Sequence, residues 1–241
     1  MTKNLLLRKL THSWHDFLSL FFPRLCLACS QPMTTDETYI CIHCQATLPE
    51  TDFHLSKKNP FTERFDGRLR VETAAALFFF TKKSKTQHLI HQIKYDDKRE
   101  AAFELGRCLG QKLIQQPQFQ NIDYIVPVPM YSKKRIQRGF NQAELFADGL
   151  AEIMQKPVNT SALKKTKMTE TQTKKSRLER LKNAEDVFHL TDPSVFDNKN
   201  VLIVDDVMTS GATLESCANA ILEATPNVKI NFATIAFAKA N

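Results

Sequence analysis

Two groups of residues in this 241-residue chain have types and spacing that could do chemistry. The first is Asp205-Asp206, standing at the end of the apolar run Val201–Val204 and followed by Thr209-Ser210-Gly211-Ala212-Thr213. A continuous apolar run reads as a buried strand, and open α/β sheets bind ligands at the carboxyl ends of their strands. The loop after it opens a helix, whose unpaired N–H groups and partial positive charge suit a phosphate. Gly211 lets the backbone approach closely, and the hydroxyls of Thr209, Ser210 and Thr213 add donors. The two carboxylates would face a polyol or a metal ion. A plain turn with an N-cap would carry part of this pattern, but the apolar run, paired acids, hydroxyls and glycine agree on the phosphate reading.

The second group is Cys26-x2-Cys29, followed after 11 residues by Cys41-x2-Cys44. Each pair places two thiolates on one tight turn, and two turns complete a tetrahedral sulfur shell for zinc. Four protein ligands leave no open coordination position, so the expected zinc is structural. Two redox dithiols would need a thioredoxin-like context, which the chain lacks. A module of about 25 residues buries little core, so the metal would supply its folding energy. His43 is expected to be exposed rather than a fifth ligand. Cys108 and Cys217 are expected as buried core thiols on helices.

Charge adds a third feature. The chain carries 33 Lys and Arg against 26 Asp and Glu, a net of +7. Residues 131–182 hold 13 basic against 5 acidic groups, a net of +8, so the excess is local. Lys133, Lys134, Arg135 and Arg138 follow Pro127-Val128-Pro129 at the end of a predicted strand, which puts them on the ligand edge of a sheet. A solvated charge run is the alternative. Thr169-x2-Gln172-x7-Arg180-x2-Asn183 has few apolar residues and reads as a flap that closes over a substrate, or as an exposed helix start without a role. Hydrophobic residues at 42% and charged residues at 24% suit a globular protein. Only 6 Gly and 10 Pro exclude collagen-like and low-complexity classes. No stretch approaches the roughly 20 apolar residues of a membrane span, and Leu5–Leu7 is too short for a signal-peptide core. A cytoplasmic location with reduced thiols is expected.

The elements that must position these groups follow from periodicity. Apolar residues at spacings of three and four predict an amphipathic helix over 4–22, ended by Pro23. Residues 24–48 form the cysteine module, and the polar stretch 49–70 reads as a connector. From 71 to 241 strands and helices alternate. Strands are predicted at Val71–Phe80, Tyr124–Pro129, Asn200–Asp205 and Lys229–Phe237, with helices at 84–94, 99–116, 140–154 and 212–224. In the second helix Phe103, Leu105, Leu109, Leu113 and Ile114 are the apolar positions. In the third, Leu145, Phe146, Leu150 and Ile153 face inward. Such alternation predicts an α/β fold around a largely parallel sheet.

The segment from Val201 to Thr213 resembles the phosphoribosyl pyrophosphate (PRPP) signature of type I phosphoribosyltransferases. With Ile93-Lys94-Tyr95, Pro127-Val128-Pro129, Arg138-Gly139-Phe140-Asn141-Gln142, Thr169-x2-Gln172, Arg180-x2-Asn183 and the four cysteines, the whole chain resembles the ComF family, in its ComFC group. Asp96-Asp97-Lys98 stands where that family usually has a glycine, and Ser210 where many members have threonine. The resemblance implies a type I phosphoribosyltransferase-like fold behind a small zinc module. It implies that Asp205 and Asp206 contact the ribose hydroxyls and that Thr209, Ser210, Gly211, Ala212 and Thr213 cradle the 5′-phosphate. It further implies Lys133 and Arg138 at the pyrophosphate, Gln172 and Arg180 on the flap, and Mg²⁺ with the pyrophosphate. It implies a competence factor that helps single-stranded DNA reach the cytosol beside a ComFA-type helicase or ATPase. The apolar face of the helix over 4–22 is expected to pack on the rest of the chain rather than on a membrane surface, and any membrane contact to be peripheral at the inner face. Tyr131, Phe140 and Phe146 are the only aromatics in the basic stretch, so backbone contact is expected over base readout. An active phosphoribosyltransferase, moving phosphoribose to an unidentified acceptor with release of pyrophosphate, is the second reading. There Asp205 and Asp206 would steady the ribose as positive charge develops.

Overall fold

The computed structural model describes residues 23–95, 98–166 and 187–239. The helix expected over 4–22, the turn at Asp96-Asp97 and the flap residues Thr169, Gln172, Arg180 and Asn183 lie outside them.

Four parallel strands carry the domain: β1 (Thr73–Phe80), β2 (Tyr124–Pro127), β5 (Asn200–Met208) and β6 (Lys229–Ala238), ordered β1-β6-β5-β2. Their apolar runs do not alternate with polar residues because both faces are covered. In β5, Leu202 and Val204 join the core on one face, and Val201 and Ile203 the core on the other. In β6 the same split separates Ala233 and Ile235 from Phe232 and Ile230. Both outer edges are paired. The segment Pro49–Thr51 runs along β1, with Phe79 N–H donating to Pro49 O (2.7 Å) and Thr51 N–H to Leu77 O (3.0 Å). On the far side, Asn159 N–H donates to Ile125 O in β2 (2.9 Å). These contacts partly cover the two edges. A separate antiparallel pair, β3 (Leu163–Thr166) with β4 (Val187–Leu190), has no counterpart in the sequence reading, because Leu-Lys-Lys-Thr shows no apolar pattern.

Helices α3 (Lys85–Tyr95), α4 (Arg99–Leu113), α6 (Gln142–Met154) and α7 (Ala212–Ala224) lie near their predicted bounds. Between β2 and α6 the basic run folds as a further helix, α5 (Ser132–Arg138). Helices α4 and α6 cross with backbones nearly touching. A Cβ added at Gly106 would lie 2.2 Å from Phe146 O, and one at Gly149 would lie 2.0 Å from Phe103 O. Leu105, Leu109, Phe146 and Leu150 are buried in the same core as Leu202 and Val204. Two expected positions differ. Ile114 is 46% exposed, because α4 ends at Leu113 and the chain turns away. Cys108 is exposed on the outer side of α4, whereas Cys217 is buried in α7 as expected.

Residues 49–70 carry more structure than their polarity suggests. After helix α1 (Ile42–Thr47) in the cysteine module comes a short helix, α2 (Pro60–Glu63). Asn59 caps it, its Oδ1 accepting from Phe61 and Thr62 N–H, while its Nδ2 donates to Ala74 O of β1 (2.9 Å). Phe61 and Phe65 are fully buried against Phe232, with ring centroids at 6.2 and 4.9 Å. Each buried ring is worth about 2–3 kcal/mol of transfer free energy. These residues form one wall of the second core.

Candidate functional site

Strand β5 carries Asp205 and Asp206 to the carboxyl edge of the sheet and continues to Met208. Beyond it, Gly211 takes φ +88° as the residue before α7, a conformation that favours glycine. A Cβ there would meet the Phe65 ring at 3.0 Å, so the 60–65 segment forms the floor of the loop. The first turn of α7 is tied to the same segment by an Arg68–Glu215 ion pair. Thr209, Ser210 and Ala212 are exposed, and Ser210 Oγ accepts from Ala212 N–H (3.3 Å).

Beside the acids lies a pocket of about 160 Å³. Asp205, Asp206 and Thr213 line one side, and Val128 to Tyr131, Arg138, Asn141, Gln142 and Lys165 the rest. The strand neighbours β5 and β2 bring these groups together, since their carboxyl ends lie side by side. Asn141 fixes the β2 side: its Oδ1 caps α6 by accepting from Ala143 N–H (3.1 Å), and its Nδ2 donates to Val128 O (3.0 Å).

The charges in the pocket are interlocked. Lys94 Nζ lies 2.6 Å from Asp206 Oδ2, with both side chains largely covered. Loss of water around the Asp205 carboxyl, and then the adjacent Asp206 charge, push Asp205 up to about 7. A hydrogen bond from Asp206 N–H (2.8 Å) and the Lys94 and Lys165 charges act in the opposite direction. Lys165 Nζ stands 4.6 Å from the Tyr131 ring centroid and 5.2 Å from that of Phe188. Burying two adjacent carboxylates is costly unless cations or a metal share the charge, so this edge suits a ligand that brings a divalent cation.

The predicted residues Asp205, Asp206, Thr213 and Arg138 therefore share one pocket. Thr209, Ser210, Gly211 and Ala212 form the adjoining loop. Lys133 lies on α5, while Gln172 and Arg180 fall outside the described residues. Of the three aromatics of the basic stretch, Phe146 is core, and Phe140 is buried beneath Arg99, whose guanidinium carbon is 5.2 Å from the ring centroid. Tyr131 alone borders the pocket.

The four cysteines converge as their spacing predicts. Their Sγ atoms all lie within 4.8 Å of one another, and Cys29 and Cys41 are 3.8 Å apart. Tetrahedral Zn–S bonds of about 2.3 Å put sulfurs about 3.8 Å apart, so the donor set fits one zinc ion. Ala28 and Cys41 N–H groups point at Cys26 Sγ (3.4 and 3.3 Å). Burial alone would raise the Cys26 thiol, but these bonds outweigh it and bring the thiol down to about 7. Burial pushes the Cys44 thiol up instead. His43 is exposed.

The profile of the phosphoribosyl transferase domain family matches residues 95–241. The chain belongs to the phosphoribosyl transferase domain family, as a ComFC-type member. It is 30% identical over 207 residues to the DNA utilization protein YhgH of Escherichia coli K12, covering 82% of this chain and 84% of that one. Competence protein F of Haemophilus influenzae is 36% identical over 91 residues, covering 37% of this chain and 40% of that one. Competence protein ComFC of Bacillus subtilis is 35% identical over 99 residues, covering 41% of this chain and 38% of that one. In and beside this phosphoribosyl transferase domain, Lys165, Asn141 and Gln142 line the pocket and Lys94, just ahead of the matched residues, adds its charge, none of them singled out from the sequence for a role. Lys94, Asn141 and Gln142 did stand in the motifs that carry the family resemblance. Lys165 had no signal beyond its place in the basic stretch. Among the described residues no helix is long and apolar enough to cross a membrane.

Proposed function

We propose that this chain is a competence-related factor that assists the handling of incoming single-stranded DNA and carries a PRPP-binding site at the carboxyl edge of its sheet. The observation that carries the site is the Asp205-Asp206 pair facing Lys94, Arg138 and Lys165, with a glycine-bearing loop opening α7 beside it. In this reading Asp205 and Asp206 take the ribose hydroxyls, and Thr209, Ser210, Gly211, Ala212 and Thr213 take the 5′-phosphate. Lys133 and Arg138 take the pyrophosphate, and Gln172 and Arg180 belong to a flap. Mg²⁺ is a hard cation that prefers carboxylate and phosphate oxygens, and held by Asp205, Asp206 and the pyrophosphate it would neutralise the leaving group's charge. Zinc in the four-cysteine cluster has a structural role.

The DNA part rests on the relatives, named for DNA utilization and competence, and on the basic stretch. The contacts are to phosphates rather than bases, in keeping with Tyr131 being the one aromatic among the described residues of the pocket lining. A ComFA-type ATPase on the cytoplasmic side is the partner in this reading, and any contact with the inner face of the membrane is peripheral.

Calorimetry with PRPP and Mg²⁺ tests the site. Wild type should bind, and an Asp205→Asn/Asp206→Asn variant should not. Equal binding by both, or none by wild type, removes the PRPP reading. Affinity for single-stranded DNA should fall steeply as salt rises, because phosphate contacts release counterions; a flat response removes the backbone-contact reading. Pyrophosphate release with one of a panel of nitrogen acceptors would instead make the chain a transferase.

A further inference from the structure

One buried residue lining the pocket keeps an unpaired donor. Gln142 begins α6, lines the pocket and is 2% exposed. Its Oε1 accepts from Arg138 Nη1 at 3.3 Å. Because a guanidinium only donates, the amide orientation follows: the oxygen faces Arg138 and the –NH₂ points elsewhere. That Nε2 is buried with no hydrogen-bond partner among the described residues. An orphaned amide donor is unfavourable in a fold. The neighbouring Asn141 uses both ends of its amide, capping α6 and holding Val128 O. Two adjacent amides thus differ: one locks the backbone and the other holds a donor in reserve.

We propose that Gln142 is a ligand-reading residue whose Nε2 donates to an oxygen of the pyrophosphate group of PRPP. This inference rests on the PRPP reading of the same pocket. The group it meets must be an acceptor, since an –NH₂ can only donate. The position narrows it further. Gln142 sits on the β2 side with Arg138, across from the acids and the loop on the β5 side. A pyrophosphate there accepts from both side chains, one charged and one neutral. Arg138 holds the Gln142 amide in place as well as supplying its own charge. The donor costs stability in the free chain and is satisfied when ligand arrives.

The test pairs stability with binding. Gln142→Met removes the donor and keeps the length of the side chain. Binding of PRPP with Mg²⁺, and of pyrophosphate with Mg²⁺, should weaken about ten-fold or more, the worth of a hydrogen bond to a charged oxygen. Ribose 5-phosphate should bind wild type and variant alike, because it lacks the pyrophosphate. The free variant should melt at or above the wild-type temperature, whereas a residue that props up the fold would melt lower when replaced. Gln142→Glu, which turns the donor into a negative acceptor, should bind PRPP more weakly still. Undiminished PRPP binding by Gln142→Met, or an equal loss for ribose 5-phosphate, overturns the assignment. Failure of wild type to bind PRPP at all falls on the PRPP reading instead, so the two failures are told apart.

Discussion

Asp205→Asn should make the free protein more stable and leave it unable to bind its ligand. Burial and the neighbouring Asp206 raise the Asp205 carboxyl from an ordinary 3.8 to about 7. The folded chain then keeps this proton to higher pH than the unfolded chain does. Between pH about 4 and about 7 the unfolded state binds fewer protons, so stability falls as pH rises through that window. The slope is about 1.4 kcal/mol per pH unit for one group. Over roughly three units the ceiling is about 4 kcal/mol, complete above pH 7 and absent below pH 4. Water at the open side of the pocket lowers the net figure to about 2–4 kcal/mol. Asparagine keeps an oxygen for the Asp206 N–H bond now made at 2.8 Å, so the backbone there has no reason to move. Urea unfolding of both proteins at several pH values between 5 and 8 reads the difference directly. Acid effects on the cysteine cluster are common to both and cancel. The variant's advantage should grow with pH and level off above 7. A variant less stable than wild type at pH 8, or an advantage independent of pH, would refute the claim that this carboxylate is held at a cost for the sake of a ligand.

Gly149→Ala should destabilise the protein although alanine is the better helix former by about 1 kcal/mol. Its Cβ would lie 2.0 Å from Phe103 O, a backbone atom that cannot step aside without parting α4 from α6. Overpacking of about 3 kcal/mol against that gain leaves a net loss of about 2 kcal/mol, or a Tm lower by roughly 4–8 °C; a rise in Tm would contradict the close crossing. Metal analysis should find one zinc per chain, lost in Cys44→Ser. Stripping the metal should lower the Tm of the whole cooperative transition, because Cys26, Cys44 and Leu48 share a core with Leu77, Phe78 and Leu89. An unchanged Tm after complete removal would argue against a structural metal.

The parts of the fold legible in the sequence were those whose signal is local. Val201–Val204 read as a buried strand because both faces are covered and no polar residue interrupts it. The cysteine spacing announced a tetrahedral sulfur set because two short turns decide its geometry. Other parts depend on neighbours far along the chain. Phe61 and Phe65 sit among Arg, Glu and Asp, so averaged hydrophobicity hides them, yet they make the floor beneath Gly211. Gly106 and Gly149 look like weak points in two helices and are instead the places where those helices touch. Lys94 meets Asp206 only because β1, its helix α3 and β5 are brought together by the order of the sheet. The strand Leu163–Thr166 shows no alternation, because its stability comes from pairing with Val187–Leu190.

The same dependence changes what the basic stretch means. Counted along the sequence it is a uniform run of positive charge, suited to any polyanion. In the fold three of its members have separate partners. Arg135 is paired with Glu144 on α6 (2.8 Å), Arg138 holds the Gln142 amide, and Lys165 lies over the rings of Tyr131 and Phe188. Lys94, which lies outside the run, pairs with Asp206. Side chains committed in this way are fixed in direction, which favours a small polyphosphate of defined shape over a flexible strand that needs only nearby charge. Discrimination in the pocket then comes from placed donors and paired acids rather than from net charge.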